Sequence, residues 1–384
     1  MASTDPPRTE ELVAAGLYDP DAEDASERLA LLQYLVGLGA TIDDLVAAGP
    51  GEWQVLASSI GLWGDRDRLT LDEVADAAGV EPEVVARMWR AAGFPESDRG
   101  RDRTFVRRDV ELLAVMRAGM ELLGEGVTIQ MIRVLGAAAA RVADASVSAF
   151  VVNVVPQALE RDPSGLELAR ANAESMVLLD GLTSSFDTLL RHHIERGFRP
   201  APTVDAVVGI DLVRRSIGFA DLVDSTAWTQ QLELPALSRA LSLFDSEASE
   251  IVVGGGGQVV KLIGDGVMFV AHDAVVATGI ALDLVDGFAA HRVLPPVRSG
   301  IATGDVLARE GDYSGAVVNL AARAVSTARP STLLVDSETR AALDRSTAFS
   351  CRAAGAFSLK GFHERVELSR VERIAAPEGR SPEH

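Results

Sequence analysis

The hydrophobic period of this chain changes once, near Pro200, and that change limits what each side of it can fold into. Before it, from about Ser26 to Leu190, apolar residues recur at helical spacing in ASERLALLQYLVGLGA, in RRDVELLAVMRAGMELLGEG and in the Ala- and Val-rich run through LGAAAARVADAS. Gly and Pro fall at helix ends, as in GFPES and NVVPQ, rather than at hairpins, so this half is expected to be all-α. After the Pro-containing connector RGFRPAPT, short β-like runs (SIGFADL, QVVKLIG, GVMFVAH, VRSGIATG, STLLVD) alternate with helical ones (TGIALDLVDGFAA, GAVVNLAARAVSTA). That alternation is the mark of an α/β unit. A chain of 384 residues exceeds one ordinary core, and two domains are expected. One is a helical domain over 1–200 with its linker at about 191–212. The other is an α/β domain over 213–374, followed by a tail at 375–384 expected to be disordered.

A net charge of −20 opposes contact with polyphosphate backbones, so phosphate chemistry here has to rest on metal ions and a few local cations. The single Cys351 cannot form an internal disulfide and is read as a packed residue. The N-terminus MASTDPPRTEEL has no basic patch followed by an apolar core, and no stretch reaches about 18 uninterrupted apolar residues. A cytoplasmic protein with no membrane partner is expected.

Within the helical half, LTLDEVADAAGVEPEVVARMWRAAGF followed by RTFVRRDVELLAVM resembles the winged helix-turn-helix of MerR-type regulators, with Gly79 at the turn. A DNA-reading version would place its second helix in the major groove. Here that helix opens with Glu81 and Glu83, and the wing cations Arg99, Arg101, Arg103, Arg107 and Arg108 are interleaved with Asp98, Asp102 and Asp109. A protein-contact module is expected rather than a nucleic-acid partner.

Three stretches of the second half carry the chemistry. In FADLVDST an apolar strand ends in Asp221 and a turn rich in Asp, Ser and Thr opens a helix, which suits a hard cation beside a phosphate. The same residues also suit an ordinary N-cap by Asp224 or Ser225. In VVKLIGDGVMF, Gly264 and Asp265 form a hairpin tip, and a hairpin lying beside the FADL strand lets Asp265 and Asp221 hold two Mg²⁺ jointly. Lys261, on the same side as Asp265 by period-2 counting, is semi-buried if its strand is central and then needs a partner. GDG alone is equally a plain turn. In REGDYSGAVVNLAARAVSTARP, Asp312 precedes a Gly-containing turn and a helix whose Asn319 and Arg323 share one face, where an amide and a guanidinium can act on one group.

Together these stretches resemble the catalytic domain of class III adenylyl and guanylyl cyclases over roughly Arg215 to Arg373. The resemblance implies a ferredoxin-like, βαββαβ-type catalytic domain behind an all-α regulatory domain, and an adenylate cyclase that makes cyclic AMP and pyrophosphate. It implies Asp221 and Asp265 as carboxylates for two Mg²⁺ or Mn²⁺ per site, Lys261 and Asp312 as the pair that reads adenine, and Asn319 and Arg323 as transition-state residues. Lys360, in SLKGFHERVEL, matches a family lysine that contacts the triphosphate. ATP is expected over GTP, because Lys261 donates to a ring acceptor and Asp312 accepts from the exocyclic amine, a pattern guanine inverts. Family sites lie between two domains, and one domain here carries both sets of residues, so a homodimer with two sites is implied. Gly254 to Gly257 read as a flexible turn, since no Lys-Ser or Lys-Thr follows as a P-loop requires.

The layout also resembles mycobacterial pH-sensing adenylyl cyclases, in which the N-terminal half inhibits and acid relieves the inhibition. His192 and His193 stand with Glu195, Arg196 and Arg199 just before the connector, and histidine is the side chain that switches near neutral pH. A hydrophobic effector of the helical half is a further candidate partner. The competing readings are a MerR-like DNA-binding regulator with a nucleotide-sensing, non-catalytic cyclase-fold domain, and an inactive cyclase-fold scaffold.

Overall fold

The structure, a computed structural model, describes residues 9–63, 68–95, 103–197 and 212–374. The chain divides into two compact units, residues 1–199 and 200–384.

The first unit is helical: α1 (Thr9–Ala14), α2 (Ala25–Gly37), α3 (Ile42–Ala48), α4 (Trp53–Trp63), α5 (Leu71–Ala78), α6 (Pro82–Ala91), α7 (Arg107–Leu123), α8 (Glu125–Asn153), α9 (Val155–Arg161) and α10 (Leu166–Gly197). Its starts and stops follow from local chemistry. Thr41 and Thr70 open α3 and α5 as capping boxes with Asp44 and Glu73, and Gly79 ends α5 in the left-handed conformation at φ 64°. Helices α5 and α6 form the helix-turn-helix, and an antiparallel bridge between Leu69 and Phe105 stands where a wing would begin. Two of its cations are paired at the surface. Arg103 pairs with Glu73 at 3.0 Å, and Arg87 on the second helix pairs with Glu125 at 2.6 Å. Arg99, Arg101, Asp98 and Asp102 lie outside the described residues.

Helix α10 is fastened at its N-terminal half. Asn172, buried, accepts from the Ser58 hydroxyl at 2.9 Å and donates to the Gln54 carbonyl at 3.0 Å, tying α10 to α4. Its C-terminal half, from Val177 to Ile194, exposes its apolar side chains and ends at His192 and His193, both exposed. Among the described residues one helical stretch, Glu125–Arg161, is long and apolar enough to cross a membrane by length and composition. Arg133, Arg141 and Asp144 interrupt it, which is why no uninterrupted apolar run appears in the sequence.

The second unit runs β1 (Leu212–Leu222), α11 (Ser225–Thr229), α12 (Leu234–Gly254), β2 (Gln258–Ile263), β3 (Gly266–Ala271), α13 (Ala274–Ala289), β4 (Val297–Arg309), β5 (Asp312–Ser314), α14 (Ala316–Thr327), β6 (Leu333–Val335), α15 (Ser337–Leu343), β7 (Phe349–Phe357) and β8 (Val366–Arg373). The sheet order is β2-β3-β1-β4-β6-β8-β7, with β5 paired to β4. Its first four strands and helices α12 and α13 make the ferredoxin-like βαββαβ core expected from the sequence, and β6, β8 and β7 extend it. The β7–β8 pair was not among the strands read from the sequence. Phe244, Phe269 and Phe288 fill the main core between the sheet and helices α12 and α13. Cys351 packs against the same core from β7.

Two local expectations change. Gly254 to Gly257 are a packed corner rather than a flexible turn: a Cβ on Gly255 or Gly257 would lie 2.5 or 2.7 Å from Ile280, so side chains are excluded there. Strand β2 is the sheet edge, not a central strand, so Lys261 is exposed rather than semi-buried.

Candidate active site

The site begins where β1 ends. Asp221 stands directly across the antiparallel pairing from Arg298 on β4 and opposite Gly266 on β3. Arg298 grips its carboxylate with two hydrogen bonds, Nε to Oδ1 at 2.8 Å and Nη2 to Oδ2 at 3.2 Å. Such a bidentate fork is the strongest geometry an Arg–carboxylate pair can take. Asp265 closes the β2–β3 turn beyond Gly264, which has φ 62°, and its carbonyl accepts from the Leu222 N–H at 3.0 Å. The hairpin tip is therefore sewn to the residue after Asp221. Because Asp265 lies in the turn after β2 ends, period-2 counting from Lys261 does not reach it.

Burial raises the pKa of Asp221 above the ordinary carboxylate value, Arg298 opposes that rise, and the charge of Asp265 adds to it. Asp224 completes the loop in an unexpected way. It sits in the left-handed conformation, φ 53°, and its side chain makes no capping bond, so the ordinary N-cap reading of FADLVDST fails. A non-glycine residue held there is strained. The donor set fits a hard divalent cation: two carboxylates on neighbouring strand ends, one pushed toward protonation by burial and by the other's charge, gain from a nearby positive ion. Mg²⁺ takes one or two carboxylates and completes its shell with water and phosphate. Among the described residues no group of three or more His, Cys, Asp and Glu forms a metal cage.

A second constellation stands on β2 and β5. The Lys261 ammonium donates to Asp312 Oδ2 at 2.5 Å, with both side chains under half exposed, 43% and 45%. The Tyr313 N–H donates to the other oxygen of Asp312 at 2.8 Å. Burial alone would raise the Asp312 pKa, but the bond and charge of Lys261 and the Tyr313 N–H outweigh it and hold the carboxyl below its ordinary value. A lowered carboxyl pKa keeps this pair formed above the ordinary Asp value of about 3.9 and loses it only as pH falls through the lower folded value. The chain contains two lysines, Lys261 and Lys360, and every other cation of this class is Arg. Lys360 is exposed in the turn between β7 and β8, beside Gly361 at φ 92°.

Asn319 and Arg323 project from the exposed face of α14, one turn apart. Two glycines of β4 set the height of that helix. A Cβ on Gly300 would lie 2.3 Å from the Val325 nitrogen and 2.8 Å from the Ala321 carbonyl, and one on Gly304 would lie 2.8 Å from Val317. Ala321 and Ala324 fill the space between helix and strand. Gly300→Ala therefore cannot be absorbed by a side-chain rotation, since α14's backbone has to lift. We expect it to cost roughly 2–3 kcal/mol of stability, as overpacked cores do, and to lower turnover more than tenfold by misplacing Asn319 and Arg323. Denaturant midpoints and initial rates check both.

Sequence reasoning missed Arg298. Its signal was a charge inside the otherwise apolar run VRSGIATG, where alternation predicts burial and a buried Arg requires a carboxylate.

The family model described as the adenylate and guanylate cyclase catalytic domain matches residues 213–371, and that described as the adenylate cyclase regulatory domain matches 6–194. An adenylate cyclase of Streptomyces coelicolor is 33% identical over 76% of this chain and 76% of its own length. The chain belongs to the adenylate cyclase family. This adenylate cyclase carries a class III catalytic domain in its C-terminal half and a regulatory domain in its helical half. An uncharacterised protein of Mycobacterium tuberculosis H37Rv is 35% identical over 91% of this chain and 90% of its own. A protein of M. tuberculosis CDC 1551 named a pH-sensitive adenylate cyclase is 28% identical over 92% and 90%. Among solved structures, the adenylyl cyclase CyaB of P. aeruginosa aligns with a TM-score of 0.38 and 25% identity over 44% of this chain and 98% of that one.

Proposed function

We propose that this adenylate cyclase converts ATP to 3′,5′-cyclic AMP and pyrophosphate at two sites shared between two copies of the chain. The observation that carries the choice of ATP is the preformed Lys261–Asp312 pair, whose donor and acceptor match the edge of adenine. Asp221 and Asp265 would hold two Mg²⁺ or Mn²⁺. When bound, these ions supply Lewis acidity, lowering the pKa of the ribose 3′-hydroxyl and neutralising the leaving pyrophosphate. Asn319 orients the ribose so that its 3′-oxygen attacks the α-phosphorus in line, and Arg323 stabilises the charge that develops on the phosphate oxygens. Lys360 would meet the triphosphate as a compact cation, while Arg298, bonded to Asp221 and to the Ser326 carbonyl, holds the metal carboxylate in place. Purified chain given ATP and GTP side by side with Mg²⁺ or Mn²⁺ tests this reading: cyclic AMP is expected, with ATP preferred at least a hundredfold.

The domains are proposed as a regulatory one over 1–200, with its linker at about 191–212, and a catalytic one over 213–374. The expected disordered tail at 375–384 and most of that linker fall outside the described residues. Inhibition by the regulatory domain, relieved at acid pH, is supported by the likeness to a relative named pH-sensitive. His192 and His193 are its proposed sensors. Both are exposed on α10, with His192 Nδ1 4.0 Å from Glu195 Oε2. Protonation would close that contact into an ion pair at the start of the linker. Two variants test this. Removing residues 1–200 should raise activity at neutral pH, and replacing both histidines with Ala should flatten the acid response. An unchanged pH profile in the double variant sinks the sensor assignment.

A further inference from the structure

His291 sits in the turn between α13 and β4. Its ring is held on both sides. Nδ1 accepts from the backbone N–H of Val293 at 3.2 Å and of Leu294 at 2.8 Å, and Nε2 lies 3.3 Å from the Glu247 carboxylate of α12. Two N–H groups aimed at Nδ1 require a lone pair there, so the ring is neutral with its proton on Nε2, donated to Glu247. The groups facing the ring are that carboxylate from α12, the Phe288 ring from α13 at 6.0 Å between centroids, and Arg292 in the turn itself, exposed to solvent. The ring itself is largely covered, 18% exposed.

The turn that His291 ties leads straight to the metal carboxylates. Leu294 is buried in the main core, the Pro296 carbonyl accepts from Val223 N–H at 2.9 Å in the loop after Asp221, and two residues further on Arg298 grips Asp221. We infer that His291 is a pH-responsive positioning residue: its neutral ring pins the 291–296 turn, and through Pro296 and Arg298 fixes the Asp221 loop for metal-bound ATP. Protonation of Nδ1 sets an N–H against two N–H groups, while Glu247 attracts the cation. The ring then keeps Glu247 and releases the turn. Acid therefore weakens the substrate site from within the catalytic unit, setting an acid limit that opposes any activation from the helical half. This rests on the cyclase reading.

The test uses the full chain, because both units then respond to pH equally in every variant. His291→Asn keeps an acceptor for the N–H groups at i+2 and i+3, since an Asn carboxamide oxygen makes the same local bonds, but it does not titrate. The expected result is an apparent KM for Mn²⁺–ATP that rises about fivefold more in wild type than in His291→Asn between pH 7.5 and 5.5, with kcat at pH 7.5 within about twofold. His291→Ala should show the raised KM at every pH. Superimposable KM profiles for wild type and His291→Asn overturn the inference. So does a ¹⁵N-histidine NMR spectrum placing the His291 proton on Nδ1 at pH 7.5. If wild type makes no cyclic AMP, the cyclase reading fails, and the NMR spectrum still decides whether the ring is held as described.

Discussion

Asp221→Ala and Asn319→Ala, each inactive alone, recover activity when their subunits are mixed. Each substitution removes a different half of the proposed site: a metal carboxylate in one case, the amide that orients the ribose in the other. Losing such a group is expected to lower kcat by about 10²–10³ or more. In a dimer with two shared sites, a mixed pair concentrates both lesions in one site and leaves the other whole. Random reassociation makes about half of the dimers mixed, each with one working site, so roughly a quarter of wild-type activity should return. The folded state survives the change at β1. Asp221 and Arg298 are partly exposed, 27% and 29%, so leaving the guanidinium unpaired costs about 1 kcal/mol rather than the several expected in a dry core. Initial rates against mixing ratio, after co-expression or subunit exchange, check the prediction. A mixture no more active than its components means that each chain owns a complete site.

The second large effect concerns the base. Guanylyl members of the family usually carry Glu and Cys where this chain has Lys261 and Asp312, so Lys261→Glu with Asp312→Cys should lower kcat/KM for ATP by about 10³–10⁴ and raise that for GTP. The magnitude follows from leaving polar edges of the base facing the wrong partner in a closed site. Stability should barely move, because the pair is 43% and 45% exposed and surface pairs contribute little. Kinetics with both nucleotides and a denaturant midpoint separate the two consequences. Unchanged discrimination would remove Lys261 and Asp312 from base reading.

The change from a helical half to an α/β half was legible because hydrophobic period is local, and the order of β1, β2, β3 and β4 followed from apolar runs bounded by turns. The pairing of Lys261 with Asp312 was legible only through the family likeness. Fifty-one positions separate the two residues, and nothing in either stretch names the other. Long-range register also hid the cation on Asp221: Arg298 reaches it because β1 and β4 pair antiparallel with those two residues opposite. The edge position of β2 could not be read, since edge and central strands share an alternation when one face is covered. The scarcity of lysine was in plain view. In a chain whose other cations of this kind are all Arg, Lys261 and Lys360 mark places where a compact ammonium is retained over a planar fork. The strain at Asp224 has no sequence signature beyond the residue type, because Asp serves caps and left-handed turns alike.

An active site that exists only between two copies is tested most directly by the rate of cyclic AMP formation per chain, measured across a wide dilution series alongside the sedimentation mass. Activity per chain is expected to fall in step with the dimer fraction and to vanish in the monomer. Activity per chain that stays constant while the mass falls to that of one chain would contradict it.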